Sequence, residues 1–259
     1  LIFSFYDSLY KDITAYYELR KNIGINVDLL PSWKIESVTP HYQDYVLVIG
    51  ESVRRDYMSL YGFPVENSNF LKTVKGTVLD GFTSTAANTT NALLRMFIQM
   101  KGVDFVYENN IISLAKQAGF ETFWISNQGL VGEWDTPMAS LSSLADHRKF
   151  MKLGHYESKL VYDSGLLIPF KEFLTFPVTQ PRLFILHLVG SHPLFEQRLE
   201  TPLHYNYYNA NLSSYIQTIE QTDKLLEQIY QTLQAQNHSF SLLYFSDHGL
   251  ETKDRNSPK

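Results

Sequence analysis

Asp247 and His248 stand side by side where an apolar run, Phe240-Ser241-Leu242-Leu243-Tyr244-Phe245, comes to its end. A carboxylate next to an imidazole offers one hard and one borderline ligand to a zinc ion. Glu51 is a third donor, placed after Gly50 at the end of a second such run, Tyr45-Val46-Leu47-Val48-Ile49. Asp followed by His and Gly also makes an ordinary turn, so the metal reading leans on Glu51 standing at an equivalent place. Asn88-Thr89-Thr90 precedes an apolar helical stripe. At a helix N-terminus, free N–H groups and the helix dipole favour an anion or a developing alkoxide. A threonine hydroxyl there is placed to attack phosphorus, while N-capping is the structural use of the same residues.

Other polar residues near these run ends divide between chemistry and structure. His187 and His192 flank Leu188-Val189-Gly190-Ser191, a spacing unsuited to two ligands on one helix face. His187 is expected in a structural or supporting place, and His192, beyond the strand, against a substrate phosphate or a second metal. Arg54 and Arg55 suit an anionic substrate, and a solvated helix face explains them equally well. Ser52 fails as a nucleophile elbow, which needs Gly two residues later where this chain has Arg54. It reads instead as the cap of a helix beginning near Val53.

These residues need a scaffold that brings strand ends together. The short, β-branched, fully apolar run at Tyr45 to Ile49 is of the kind buried in a parallel sheet. Thr122-Phe123-Trp124-Ile125, Leu183 to Leu188 and Phe240 to Phe245 repeat that signature. Helical patterns lie between them: Asn88 to Met100, Ile111 to Ala118 with Gly119 at its C-cap, and Leu212 to Gln234. Strands alternating with helices predict an α/β fold, a mostly parallel central sheet with helices on both faces. In such a sheet the crevice at the carboxyl ends of the strands takes the ligand.

The bulk properties bound the function. With 259 residues, 44% of them hydrophobic, the chain can bury one sizeable core. A formal net charge of -5 gives no basic field for a polyanionic backbone, so nucleic acid is not an expected partner. The absence of cysteine excludes a disulfide framework, a Cys-based zinc site and a thiol nucleophile. No apolar run approaches the roughly 20 residues of a membrane-spanning helix. The chain begins with Leu1, and little follows the motif around Asp247, which together suggest a piece truncated at both ends. The expected organisation is a connecting helix and linker over residues 1–40, then a catalytic domain over 41–259 with an incomplete C-terminus.

An ordered set of segments resembles the phosphoethanolamine transferases of Gram-negative bacteria, within the sulfatase and alkaline phosphatase superfamily. Val48-Ile49-Gly50-Glu51-Ser52-Val53-Arg54 and Met58-Ser59-Leu60-Tyr61-Gly62-Phe63 look like that family's opening strand and helix. Ala118 to Gln128 looks like its central strand, and His187 to His192 and Leu243 to Gly249 like its later ones. The similarity runs from about Tyr45 to the end and is greatest to the branch that modifies the lipopolysaccharide core. It implies zinc held by Glu51, Asp247, His248 and Thr89, with Thr89 the catalytic nucleophile and Thr90 in reserve. The family places this threonine eight residues before the second member of an apolar pair, which matches Met96-Phe97 counted back to Thr89. Asn88, Arg54 and His192 are the expected substrate-binding residues.

The same resemblance implies the reaction and its setting. Phosphoethanolamine would pass from phosphatidylethanolamine to a lipopolysaccharide sugar or phosphate through a covalent phospho-threonine. The catalytic part would face the periplasm, tied to the inner membrane by N-terminal helices this chain lacks. A phosphoglycerol transferase or a metal-dependent phosphodiesterase is the alternative; a sulfatase would need a Cys/Ser-x-Pro-x-Arg stretch, which does not occur. From a different class, a non-catalytic envelope-binding domain would keep the fold and lose the metal.

Overall fold

The apolar run around Tyr45 to Ile49 is apolar on both sides because both sides are covered. Val46 and Val48 pack with Phe184, Leu186, Leu226 and Ile229, while Leu47 and Ile49 pack with Leu93, Phe97, Trp124 and Ile185. That division follows the two-residue period of a strand, which turns successive side chains to opposite faces. The structure, a computed structural model, describes residues 30–130, 136–155 and 161–250. In chain order its elements are β1 (Asp44–Gly50), α1 (Asn69–Thr73), α2 (Thr89–Phe97), β2 (Ile98–Lys101), β3 (Asp104–Asn110), α3 (Ile111–Gln117), β4 (Glu121–Gly129), α4 (Thr136–Ser142), β5 (His147–Lys152), α5 (Leu167–Leu174), β6 (Arg182–His187), α6 (Ala210–Gln234) and β7 (Phe240–Ser246).

The sheet has the order β5-β4-β6-β1-β7, with every pairing parallel. Helices α5 and α6 supply Phe170, Leu174, Leu225 and Leu226 to the core on one face. Helices α2, α3 and α4 supply Leu93, Ile112, Met138 and Leu141 to the other. The result is the expected three-layer α/β architecture. Each fully buried Leu or Phe contributes about 1.5–3 kcal/mol relative to leaving it in water. At the amino end of the sheet, Asp44 and Arg182 face each other in register, both fully buried, and form a two-armed ion pair with distances of 2.6 and 2.9 Å. Beside β7, at the sheet edge, lies an open apolar groove of about 880 Å³ whose walls include Val78, Leu79, Phe82, Leu243 and Phe245. Among the described residues, no helix is long and apolar enough to cross a membrane.

Several boundaries differ from the sequence pattern, each for a physical reason. The helix expected from Asn88 to Met100 stops at Phe97, because Ile98 turns extended (φ -118°) and begins a hairpin with β3. Gly102, at φ +65°, makes the tight turn of that hairpin. β4 continues past Ile125 to Gly129 through buried polar residues, which an apolar pattern does not reveal. Its Gln128 donates to the Leu188 carbonyl at 2.7 Å, and Asn127 donates to the Val161 carbonyl at 2.9 Å. β5 is largely polar because it is the other edge of the sheet. After Glu51 there is no α-helix near Val53, only short 3-10 turns at Arg55–Tyr57 and Ser59–Tyr61. Of the connecting helix and linker expected over residues 1–40, residues 1–29 lie outside the described residues, as do residues 251–259.

Candidate metal centre and nucleophile

β1 lies between β6 and β7, so the three strand ends that carry the candidate residues open onto one crevice. Gly50 pairs with Ser246, and the Asp247 N–H donates to the Gly50 carbonyl at 3.1 Å, which sets Asp247 beside Glu51. On the other side, the Ser191 N–H donates to the Glu51 carbonyl at 3.0 Å. Gly190, at φ +50°, passes so near that an added Cβ would lie 2.9 Å from the Glu51 nitrogen. Only glycine allows that approach.

Helix α2 brings the hydroxyl. Asn88 is its N-cap, accepting at Oδ1 from the Asn91 N–H at 3.0 Å, and Thr89 is its first residue. From there the Thr89 hydroxyl donates to Glu51 Oε2 at 2.7 Å and lies 3.3 Å from His248 Nε2. Glu51 Oε1 is 3.1 Å from the same His248 nitrogen, which is 3.6 Å from Asp247 Oδ2. Glu51, Asp247, His248 and Thr89, spread over nearly the whole described chain, therefore meet at one point.

The electrostatics of this cluster are those of a site built for a cation. Burial by itself raises a carboxyl pKa, and at Glu51 the hydrogen bond and charge of His248, helped by the Ser52 hydroxyl, outweigh it and bring the pKa down. Asp247 is pushed up, by burial first and then by the charge of Glu51. Burial would lower His248, but the two carboxylates outweigh it and hold the pKa up. Two buried carboxylates side by side resist ionising together unless a positive charge sits between them.

Zinc fits the residues present. The ligand atoms of Glu51, Asp247 and His248 lie within 4.8 Å of one another, compatible with a common centre about 2 Å from each. Asp247 Oδ2 is buried with no hydrogen-bond partner among the described residues, an acceptor left open on the inner side of the cluster. His248 Nδ1 donates to the Gly249 carbonyl at 2.6 Å, so the proton that faces the carboxylates is the one on Nε2, the nitrogen from which a metal would displace it.

The remaining expected residues fall in different places. Thr90 follows Thr89 in the helix and is half-buried. His192 is half-buried, and the charge of Glu51 partly offsets the lowering of its pKa by burial. Arg54 is engaged with Asp56 through bonds of 2.9 and 2.5 Å and lies over the Tyr57 ring at 5.1 Å. His187 is fully buried against Trp124, their ring centres 6.3 Å apart. Ser52 does not cap a helix. Its backbone is left-handed (φ 58°), and its hydroxyl donates to Glu51 Oε1 at 2.6 Å. Ser246 and Tyr215, which tie the cluster's turns together, carried no local signal: one ends an apolar run and the other sits in a long amphipathic helix.

The chain matches known proteins over most of its length. The sulfatase family model matches residues 43–259. Phosphoethanolamine transferase OpgE of Escherichia coli is 38% identical over 225 residues, spanning 86% of this chain and 43% of that protein. A putative phosphoethanolamine transferase of Haemophilus influenzae is 39% identical over 222 residues, spanning 81% and 46%. The chain thus spans less than half the length of these curated relatives. Among solved structures, the C-terminal periplasmic domain of EptC from Escherichia coli in complex with Zn superposes with a TM-score of 0.73 at 29% identity, covering 86% of this chain and 69% of that one.

Proposed function

The chain belongs to the sulfatase family, and from that premise we propose that it is the catalytic part of a phosphoethanolamine transferase. The donor is phosphatidylethanolamine, and the acceptor is a hydroxyl or phosphate of a lipopolysaccharide saccharide. The catalytic part works on the periplasmic side of the inner membrane, held there by N-terminal membrane helices of the whole protein. The observation that carries this reading is the Thr89 hydroxyl, at a helix N-terminus and 2.7 Å from Glu51 Oε2. The relatives named as phosphoethanolamine transferases, and the Zn complex of one related domain, support it.

Zinc, if held by Glu51, Asp247 and His248 together with Thr89, would supply positive charge that lowers the pKa of a hydroxyl and offsets the charge on a transferred phosphoryl group. The chain's own groups do the rest. Glu51 Oε2 accepts the Thr89 hydroxyl proton and so turns the oxygen's lone pairs toward the crevice. In the first half-reaction the Thr89 oxygen bonds to phosphorus as the bond to the diacylglycerol oxygen breaks, and the proton that Thr89 gives up ends on that leaving oxygen. In the second, the acceptor oxygen bonds to phosphorus as the Thr89 O–P bond breaks, and the proton the acceptor loses restores the Thr89 hydroxyl. The N-terminus of α2 with its dipole, and His192 across the crevice, hold the phosphoryl oxygens in both.

Mass spectrometry after incubation with phosphatidylethanolamine tests this reading. One phosphoethanolamine adduct is expected on Thr89, absent in Thr89→Ala and present in Thr90→Ala. An adduct on another residue overturns the nucleophile, and a preference for phosphatidylglycerol overturns the donor.

A further inference from the structure

Ser52 touches more of the metal cluster than any role as a turn residue requires. Its hydroxyl donates to Glu51 Oε1 at 2.6 Å, and its backbone N–H donates to Asp247 Oδ1 at 3.3 Å. Its carbonyl accepts from the Tyr215 hydroxyl at 2.8 Å, and that same Tyr215 oxygen accepts from the Arg54 N–H at 2.8 Å. The next residue, Val53, donates its N–H to Ser246 Oγ at 2.9 Å, and Ser246 donates to the His248 carbonyl at 2.9 Å. The turn after β1 is thereby clasped to the turn after β7 and to helix α6. All of this happens at a left-handed residue, φ 58°, that is 1% exposed. Glycine would adopt this conformation without strain, whereas serine bears a conformational cost there. The hydroxyl is what serine adds.

We propose that Ser52 is a positioning residue: its hydroxyl and N–H lock the Glu51 and Asp247 carboxylates in the orientation that receives the metal and leaves Glu51 Oε2 for Thr89. A glutamate carboxylate rotates about its last torsion in a broad, roughly two-fold well, so nothing in the Glu51 side chain itself fixes the plane in which its oxygens meet their partners. The Ser52 hydroxyl, at 2.6 Å from Oε1 and joined there by His248 Nε2 at 3.1 Å, fixes that plane. Hydrogen-bond partners of metal ligands commonly change metal affinity by about 10–100-fold when removed. This inference rests on the zinc reading above for the identity of the metal.

The test compares the parent protein with Ser52→Gly and Ser52→Ala, measuring zinc affinity by competition with a chromophoric chelator and thermal stability without metal. Ser52→Gly relieves the backbone strain and removes the hydroxymethyl group, while Ser52→Ala removes the hydroxyl alone. The melting temperature of Ser52→Gly is expected to equal or exceed the parent's, while zinc affinity falls about 10–100-fold. Ser52→Ala is expected to lose the same affinity with no relief of strain. Zinc bound by Ser52→Gly as tightly as by the parent overturns the inference, as does an affinity loss that only tracks a loss of stability. A parent protein that binds no zinc overturns the metal reading itself, an outcome visible before any variant is compared.

Discussion

His187 shows how one residue's burial becomes a property of the whole protein. It closes β6, is fully buried, and neither ring nitrogen has a protein partner among the described residues. Burial lowers its pKa from 6.5 to about 4, with the charge of Glu51 pulling weakly the other way. The folded imidazole therefore stays neutral where the unfolded one takes a proton. Its contribution to stability is complete above about pH 6.5 and is lost as the pH falls toward 4. At about 1.4 kcal/mol per pKa unit, the loss comes to about 3 kcal/mol. Denaturant titrations at pH 7 and pH 4 are expected to show the parent losing about that much more than His187→Gln. An equal loss in both proteins would place the acid sensitivity elsewhere.

At the scale of elements, α2 couples capping to chemistry. Asn88 holds the first turn through the Asn91 N–H, and Thr89 is the very next residue. Asn88→Ala is expected to cost about 1 kcal/mol, a shift of about 2–4 °C in melting temperature for a chain of this size. Because the frayed first turn carries the Thr89 hydroxyl away from Glu51, the transfer rate should fall further than stability alone explains. Asn88→Asp, which can cap the same N–H, should keep the stability. A rate in Asn88→Ala equal to the parent's would separate the cap from the nucleophile's placement. The short reach of α2 also explains the mistaken boundary at Met100: Phe97 and Ile98 are both buried, so the apolar stripe runs on past the point where the backbone becomes a strand.

For the whole molecule, the sheet is anchored at the end opposite the crevice. Asp44 and Arg182 are wholly buried, and Arg182 Nη1 also reaches the carbonyls of Leu174 and Phe176 at 3.4 and 3.3 Å. Replacing Arg182 by Met removes the guanidinium from the buried Asp44 and leaves it His238, 3.4 Å away, which costs about 3–5 kcal/mol. Urea unfolding is expected to register that loss, with part of it recovered in the double variant Asp44→Asn, Arg182→Met. A single variant within 1 kcal/mol or so of the parent would show the pair to be dispensable. The ion pair ties together β1 and β6, whose other ends carry Glu51 and His192 toward the crevice, so the strand alignment that makes the site is held from both ends of the sheet.

The apolar runs and the helical stripes between them were enough to predict an α/β fold with a parallel sheet, because buried strands must be apolar on both faces and that composition is local. The polar residues closing those runs pointed to Glu51, Asp247 and His248 for the same reason, since strand ends are where a parallel sheet exposes its chemistry. Strand order was not local information. Only the tertiary structure sets β1 between β6 and β7, and so decides that Ser52 reaches Asp247 from 195 residues away and that Thr89 donates to Glu51. The conformation of Ser52 belongs to the same class: the cap reading assumed a helix after Glu51, whereas hydrogen bonds from Tyr215 and to Asp247 hold a left-handed turn there. Backbone dihedrals and carboxylate orientations at a site answer to contacts between distant segments, and those contacts exist only once the sheet has closed.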